Sequence, residues 1–303
     1  MGYGPGQRCY PPAGMLLYAF TLTTVLFLIS IGARRRRLRL GGLTGSVSLA
    51  YTVLGPRGGE PWILLHGLGS VGSSWIPVMA ALRRECRLVV PELSALGGTR
   101  APGGGLSIRE GAAAMAQLLE AELDGRPVTV CGLSLGGWMA VRLALARPDL
   151  VSRLVLIDAG GYLHQDWDRV QELVKLADIA GVERLYQALF VRAPWVLRHS
   201  KAAFLAAYTS PGVKSILSGT EARDAFDDAD LARLAMPAAL IWGERDGLFP
   251  LPTAEAMARA LPHATLTVIP GCGHAVHWER PDRLVAAIQD FRRATSPGLA
   301  DLT

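Results

Sequence analysis

Cysteine is scarce. Cys9, Cys86, Cys131 and Cys272 are the only four in 303 residues, and no two of them form a C-x-x-C pair. That excludes a disulfide framework and a cysteine-built zinc site, and it reads as reduced, mostly buried thiols in a cytosolic domain. The six histidines fall in no H-E-x-x-H or comparable spacing, so neither a metal nor any other cofactor is expected. Acidic residues are missing altogether from positions 1–40, which hold Arg8, Arg34, Arg35, Arg36, Arg37 and Arg39. The formal charge of +5 is therefore local, since taking away those six arginines leaves −1 for the rest. A near-neutral remainder gives nucleic-acid binding no footing. No internal repeat or low-complexity run interrupts it, and half of the chain is apolar, enough for a substantial core.

Charge is also absent from Gly14 to Gly32. As a helix this run measures about 28 Å, close to the hydrocarbon thickness of a bilayer. A cleaved signal peptide is the competing reading. The amino-terminal region before the run holds only Arg8, the apolar run is long, Ile31 spoils the small-residue cleavage pattern, and Arg34–Arg37 follow at once. An uncleaved anchor is the expectation, with the arginines holding the carboxy-terminal side in the cytoplasm. Arg34 to Arg39 would meet anionic headgroups, or serve only as a stop-transfer signal.

Past Gly41-Gly42 the pattern changes to alternating strand and helix. Leu43 to Leu54 suggests an antiparallel hairpin or meander, and Trp62-Ile63-Leu64-Leu65 a strand ending in His66-Gly67-Leu68-Gly69-Ser70. A helix is expected from Ile76 to Arg84, a strand over Arg87–Val90, and an amphipathic helix from Ser107 to Leu123 with Ser107 and Glu110 as a capping box. Pro127–Cys131 is apolar and β-branched, and Gly136–Ala144 is helical in pattern; between them lies Gly132-Leu133-Ser134-Leu135-Gly136. That strand–turn–helix context is what a G-x-S-x-G nucleophile elbow requires. Strands follow at Arg153–Ile157, at Ala239–Trp242 running into Gly243-Glu244-Arg245-Asp246, and at Leu266–Pro270 running into Gly271-Cys272-Gly273-His274. Between Gly161 and Ala235 no strand is evident, and the stretch is too long for one crossover helix. It reads as a helical lid above the carboxyl ends of the strands, the plainer alternative being helices packed on the sheet.

Ser134, Asp246 and His274 occur in the chain order of the α/β-hydrolase triad. With the elbow and the His66-Gly67 motif, the sequence resembles that superfamily over about residues 44 to 294. The resemblance implies a mostly parallel central sheet with helices on both faces and a helical lid. It also implies Ser134 as nucleophile, His274 as base and Asp246 as the acid that orients it. His277 competes with His274, but Gly273-His274 followed by Glu279-Arg280-Pro281 fits the family pattern. Asp158 competes with Asp246, and Glu244 falls too early on its strand end. The oxyanion hole is assigned by resemblance to the backbone N–H groups of Leu68 and Leu135, with His66 bracing its loop. One segment departs from the family: Glu92-Leu93-Ser94-Ala95-Leu96-Gly97-Gly98-Thr99 carries Glu92 for an aspartate and Ala95 for a glycine, which puts the shape of the acyl pocket in doubt.

The chain accordingly divides into a tail (1–13), a transmembrane anchor (14–33), a basic juxtamembrane linker (34–42), a first part of the α/β core (43–160), a helical lid (161–235), a second part of the core (236–295) and a tail (296–303). The function expected is a membrane-anchored serine hydrolase of carboxylic esters, with monoacylglycerol or a similar acyl lipid as substrate, resembling membrane-anchored monoacylglycerol lipases. Its partners would be the small acyl ester and the bilayer, through residues 14–33 and the Arg34–Arg39 cluster, with no obligate protein partner. A C–C bond hydrolase or cofactor-free haloperoxidase on the same fold, and an inactive binding protein, are the alternatives.

Overall fold

The computed structural model describes residues 23–41 and 45–296. An eight-stranded sheet forms the centre, in the order β1-β2-β4-β3-β5-β6-β7-β8. The strands are β1 (Arg34–Leu40), β2 (Val47–Leu54), β3 (Glu60–Leu65), β4 (Cys86–Pro91), β5 (Val128–Leu133), β6 (Val151–Ile157), β7 (Ala238–Gly243) and β8 (Ala264–Ile269). The β1–β2 and β2–β4 pairings are antiparallel, and all others are parallel. Every residue of β5 and β7 is buried. This is why those strands read as continuous apolar runs: helices cover both of their faces.

The helices of the core are α1 (Ile76–Leu82), α2 (Ile108–Leu123) and α3 (Leu135–Ala146). Ser107 caps α2 as its spacing predicts: Glu110 N–H donates to Ser107 Oγ, and Ser107 N–H to Glu110 Oε2 at 3.1 Å. Between β6 and β7 come α4 (Trp167–Val174), α5 (Ile179–Leu189), α6 (Trp195–Arg198), α7 (Lys201–Tyr208), α8 (Pro211–Gly219) and α9 (Asp228–Ala232). Val170, Val174, Val182, Leu185 and Leu189 turn into the core from this insertion. The chain then adds α10 (Leu251–Ala260), α11 (Val276–Glu279) and α12 (Pro281–Thr295). One apolar cluster joins α2, α3 and the insertion to one face of the sheet, and a second joins α1, α11 and α12 to the other.

The basic juxtamembrane linker at 34–42 is corrected. Arg34–Leu40 is the edge strand of the sheet, paired along its length with β2 from Arg34↔Val53 to Leu40↔Val47. Arg36 donates to Glu122 Oε1 at 2.8 Å, and Arg35 and Arg37 donate to the carbonyls of Gly97 and Gly98. Charged side chains on an edge strand discourage pairing with another chain, so these arginines have a use within the domain. The sheet therefore begins nine residues before the core boundary at Leu43, and the hairpin pairs β1 with β2 instead of lying within 43–54.

The tail at 1–13 lies outside the described residues, and the transmembrane anchor over 14–33 and the tail at 296–303 lie partly outside them. Among the described residues no helix is long and apolar enough to cross a membrane. What is described is a helical segment at 23–30, from which Leu28, with Ile31 and Ala33 after it, packs against the cluster of α1, α11 and α12.

Candidate active site

The site lies where β3, β5, β6, β7 and β8 end. Ser134 follows β5 directly and precedes α3, with φ 53° and ψ −116°. That backbone conformation is costly for a side-chain-bearing residue. It is held by Ser134 N–H donating to Ile157 O at 2.9 Å and by Trp138 and Gly160 N–H donating to Ser134 O at 3.1 Å. The flanking glycines are required by contact. A Cβ on Gly136 would sit 2.1 Å from Leu65 O, and one on Gly132 2.3 Å from Gly136 O.

Asp246 and His274 come from the loops after β7 and β8. His274 Nδ1 donates to Asp246 Oδ2 at 2.8 Å, and both residues are buried. Asp246 Oδ1 accepts from Leu248 N–H and Phe249 N–H, each at 2.8 Å. The imidazole proton is thereby fixed on Nδ1, and Nε2 is left as an acceptor. The Phe249 ring stands edge-on to the imidazole, centroids 5.2 Å apart. Ser134 and His274 line one cavity of about 790 Å³, and no hydrogen bond joins them. Serine–histidine contacts of this kind often tighten only once a ligand is bound.

Leu135 follows the serine directly, and Leu68 follows Gly67, where a Cβ would lie 3.4 Å from Ser134 Cβ. Leu135 opens α3, so its N–H has no partner within the helix, and neither amide is used in the loop and cap hydrogen bonds. Both residues line the cavity, and two free donors beside a nucleophile are what a developing oxyanion needs.

The competing residues are placed differently. Asp158 is fully buried beneath Asp246, with Oδ1 accepting from Gly243 N–H at 2.8 Å and Oδ2 without a partner. Burial, then the Asp246 charge, raise its pKa well above the usual carboxylate range. Asp158, Asp246 and His274 offer ligand atoms within 4.8 Å of one another. The Asp246–His274 bond already occupies two of those atoms. Glu244 turns outward and accepts from Gly271 N–H at 2.8 Å. His277 lies in the cavity wall on α11.

Three features escaped sequence reasoning. Glu279 clamps the histidine loop: its Oε2 accepts from Gly273 N–H at 2.8 Å and from Val191 N–H at 3.2 Å, tying that loop to the end of α5. Gly247 N–H and Ala275 N–H donate to Ala188 O and Leu189 O, so the insertion holds the acid and histidine loops as well as covering them. Thr23, Thr24 and Phe27 of the amino-terminal segment also line the cavity. A charge pattern alone signals none of these.

His66 and Glu92 form a second buried pair. Leu93 N–H donates to His66 Nε2 at 3.1 Å, and His66 Nδ1 donates to Gly67 O at 2.9 Å. The ring is therefore neutral and ties the β3 loop to the β4 loop, a bracing role. Burial lowers its pKa to about 4. Glu92 accepts from Gly72 N–H at 2.9 Å, and burial raises its pKa to about 7. A raised acid stabilises the fold fully below its ordinary pKa and loses that contribution as pH climbs to its folded value, here from pH 4.5 to about 7. A depressed histidine acts oppositely, losing its contribution as pH falls from 6.5 to about 4. Glu92→Gln is therefore expected to stabilise the protein at pH 8 by about 2–3 kcal/mol and hardly at all at pH 4.5. Thermal melts of both proteins at the two pH values test this; a gain independent of pH would contradict it.

The alpha/beta hydrolase family signature matches residues 62–287. The chain belongs to the alpha/beta hydrolase family. This hydrolase is 30% identical over 253 residues to the pimeloyl-[acyl-carrier protein] methyl ester esterase of Serratia marcescens, a match covering 76% of this chain and 92% of that protein. Its fold is similar to that of a membrane phospholipase A described as a bacterial virulence factor, with TM-score 0.74, 21% identity, and 93% and 97% of the two chains covered. A meta-cleavage product hydrolase is similarly close in fold, with TM-score 0.73, 23% identity, and 86% and 98% covered. Neighbours of such different chemistry show that the hydrolase fold alone does not choose the reaction.

Proposed function

We propose that this hydrolase cleaves carboxylic esters of acyl lipids, monoacylglycerol first among them, through an acyl-enzyme on Ser134. The observation that carries the reading is the cavity shared by Ser134 and His274. Its wall includes Trp138, Val170, Leu189, Phe204 and Phe249, and among the described residues no Asp, Glu, Lys or Arg. A long acyl chain gains from such a wall roughly in proportion to the apolar area it buries. A substrate carrying its own carboxylate, as a dienoate does, would enter without a counter-charge.

The steps follow from the geometry. Ser134 Oγ attacks the ester carbonyl as His274 Nε2 takes its proton. The Leu68 and Leu135 N–H groups receive the oxyanion. The tetrahedral intermediate then collapses, breaking the bond to the alcohol oxygen, which leaves with the proton from His274. Water, deprotonated by the same nitrogen, releases the fatty acid and restores Ser134. Asp246 holds the imidazole and balances its transient positive charge.

Membrane attachment belongs to the same proposal. Val25, Leu26 and Ile29 are exposed apolar side chains on the segment whose Phe27 reaches the cavity, and this segment continues the uncharged run from Gly14. The run would anchor the domain at a bilayer on the cytoplasmic side, with Arg34, Arg37 and Arg39, exposed on β1, toward the headgroups. Protease protection in sealed vesicles tests the side; a domain digested only from the outer face would overturn it.

Fluorophosphonate labelling followed by a panel of p-nitrophenyl butyrate, monoacylglycerol and a vinylogous diketone tests the reaction. Labelling with turnover of the esters is expected. A folded protein that resists the probe, or that turns over only the diketone, would overturn the ester reading.

A further inference from the structure

We propose that His277 is the specificity-determining residue for the leaving alcohol, binding a hydroxyl of a small neutral polyol such as glycerol in a polar arm of the cavity. The inference rests on the ester-hydrolase reading and adds to it the chemistry of the departing group.

The cavity wall divides by element. The insertion contributes Val170, Val174, Leu189, Leu197, Phe204, Leu217 and Tyr208, with one unpaired donor among its described residues, the Trp167 indole N–H. The other side comes from the turn Gly72–Trp75, from α11 and from the amino-terminal segment. It presents Thr23, Thr24, Ser70, Ser73, Ser74 and His277. These elements are neighbours. The turn packs on α11, and Leu28 of the amino-terminal segment joins the apolar cluster that includes Trp75 and Val276. The insertion's share of the wall is mainly apolar, whereas the other share mixes these hydroxyls and His277 with Phe27, Val71, Ile76, Pro77 and Trp278.

Two polar groups of the described lining residues in that second share have no partner. Ser74 Oγ and His277 Nδ1 are both enclosed and unbonded. Native folds leave few such atoms unpaired, and each one calls for an explanation. A ligand hydroxyl supplies one here. His277 is kept neutral, since burial pushes its pKa down to about 3, with smaller contributions from His274 and His66. A neutral imidazole offers one donor and one acceptor, and a hydroxyl offers the same pair in return. Phosphate would instead require a cationic partner, and among the described lining residues there is no Lys or Arg. The ligand that fits is an uncharged alcohol with more than one hydroxyl.

The test compares kcat/KM on a 1-monoacylglycerol and on the methyl ester of the same acyl chain. His277→Phe keeps an aromatic ring and removes the hydrogen bond. It is expected to lower the monoacylglycerol value by about tenfold and the methyl ester value by less than about threefold. His277→Gln should recover most of the difference, and Ser74→Ala should shift the ratio the same way by a smaller factor. Free glycerol should slow fluorophosphonate labelling of the wild type more than of His277→Phe. Equal losses on the two esters would assign His277 to packing and overturn the proposal, as would a ratio that none of the three variants moves. A wild type that labels and hydrolyses the methyl ester but shows these negative outcomes sinks only the His277 assignment. A wild type that neither labels nor hydrolyses either ester sinks the ester reading with it.

Discussion

Ser134→Ala is expected to lower kcat on a soluble ester by about a millionfold while leaving the fold intact. Among the described residues, Ser134 is the hydroxyl that shares the cavity with His274 and follows the elbow strand directly, and the Leu68 and Leu135 amides lining the same cavity are unused. What survives in the alanine variant is the contribution of the oxyanion donors and of binding. The elbow adds a second expectation about stability. At φ 53° and ψ −116° a Cβ-bearing residue costs about 1–3 kcal/mol, whereas the extra unfolded-state freedom of glycine costs about 0.5–1 kcal/mol. Relief of strain wins. Ser134→Gly should therefore be as inactive as Ser134→Ala and more stable than it by about 1 kcal/mol, a rise of about 2–4 °C in Tm. Steady-state rates and melts of both variants check the pair of effects. Activity retained above about a thousandth in Ser134→Ala would place the nucleophile elsewhere; a glycine variant no more stable than alanine would show the elbow to be unstrained.

Much of this site can be read along the chain because its parts are local. A β-branched run, a glycine-flanked serine and a helical pattern occupy 18 consecutive positions from Pro127 to Ala144, and the structure builds β5, the turn and α3 from them. The same holds for Asp246 and His274, each at the end of its own apolar strand. The parts that escaped depend on partners far along the chain. Arg34–Leu40 alternates polar and apolar residues only over Arg37-Leu38-Arg39-Leu40, after three further arginines, too short a pattern to announce a strand. It becomes one because β2 supplies a complete ladder and Glu122, 86 residues from Arg36, accepts its guanidinium. Composition read the segment as a tether, and pairing made it an edge. Glu92 looked like a departure from the family pattern. In the structure its carboxylate caps Gly72 N–H and fills the space beside Gly97, where a Cβ would lie 1.9 Å from Oε2. The longer acid and the nearby glycine fit each other, a complementarity that depends on a turn no local pattern specifies.

Asp246→Asn is expected to lower kcat by about ten-thousandfold, and Asp158→Asn by less than about tenfold. The two acids lie together and differ in the state the fold demands of them. Asp246 accepts from Leu248 N–H, Phe249 N–H and His274 Nδ1. An asparagine there keeps one oxygen for the amides and turns its NH₂ toward the ring. His274 must then move its proton to Nε2, which removes the lone pair that would take the serine proton. Burial and then the Asp246 charge both favour the neutral form of Asp158. Asparagine reproduces that neutral shape, and its carbonyl still accepts from Gly243 N–H. Asp158 also leaves a signature in stability. With its pKa raised, the wild type loses stability as pH climbs above the ordinary carboxylate range toward the raised value, and Asp158→Asn removes that slope. Rates on p-nitrophenyl butyrate at pH 8, with melts from pH 4 to 8, separate the roles. Comparable losses of rate in the two variants would mean that the acid partner is shared between them, and a larger loss in Asp158→Asn would move the orienting role from the loop after β7 to the end of β6.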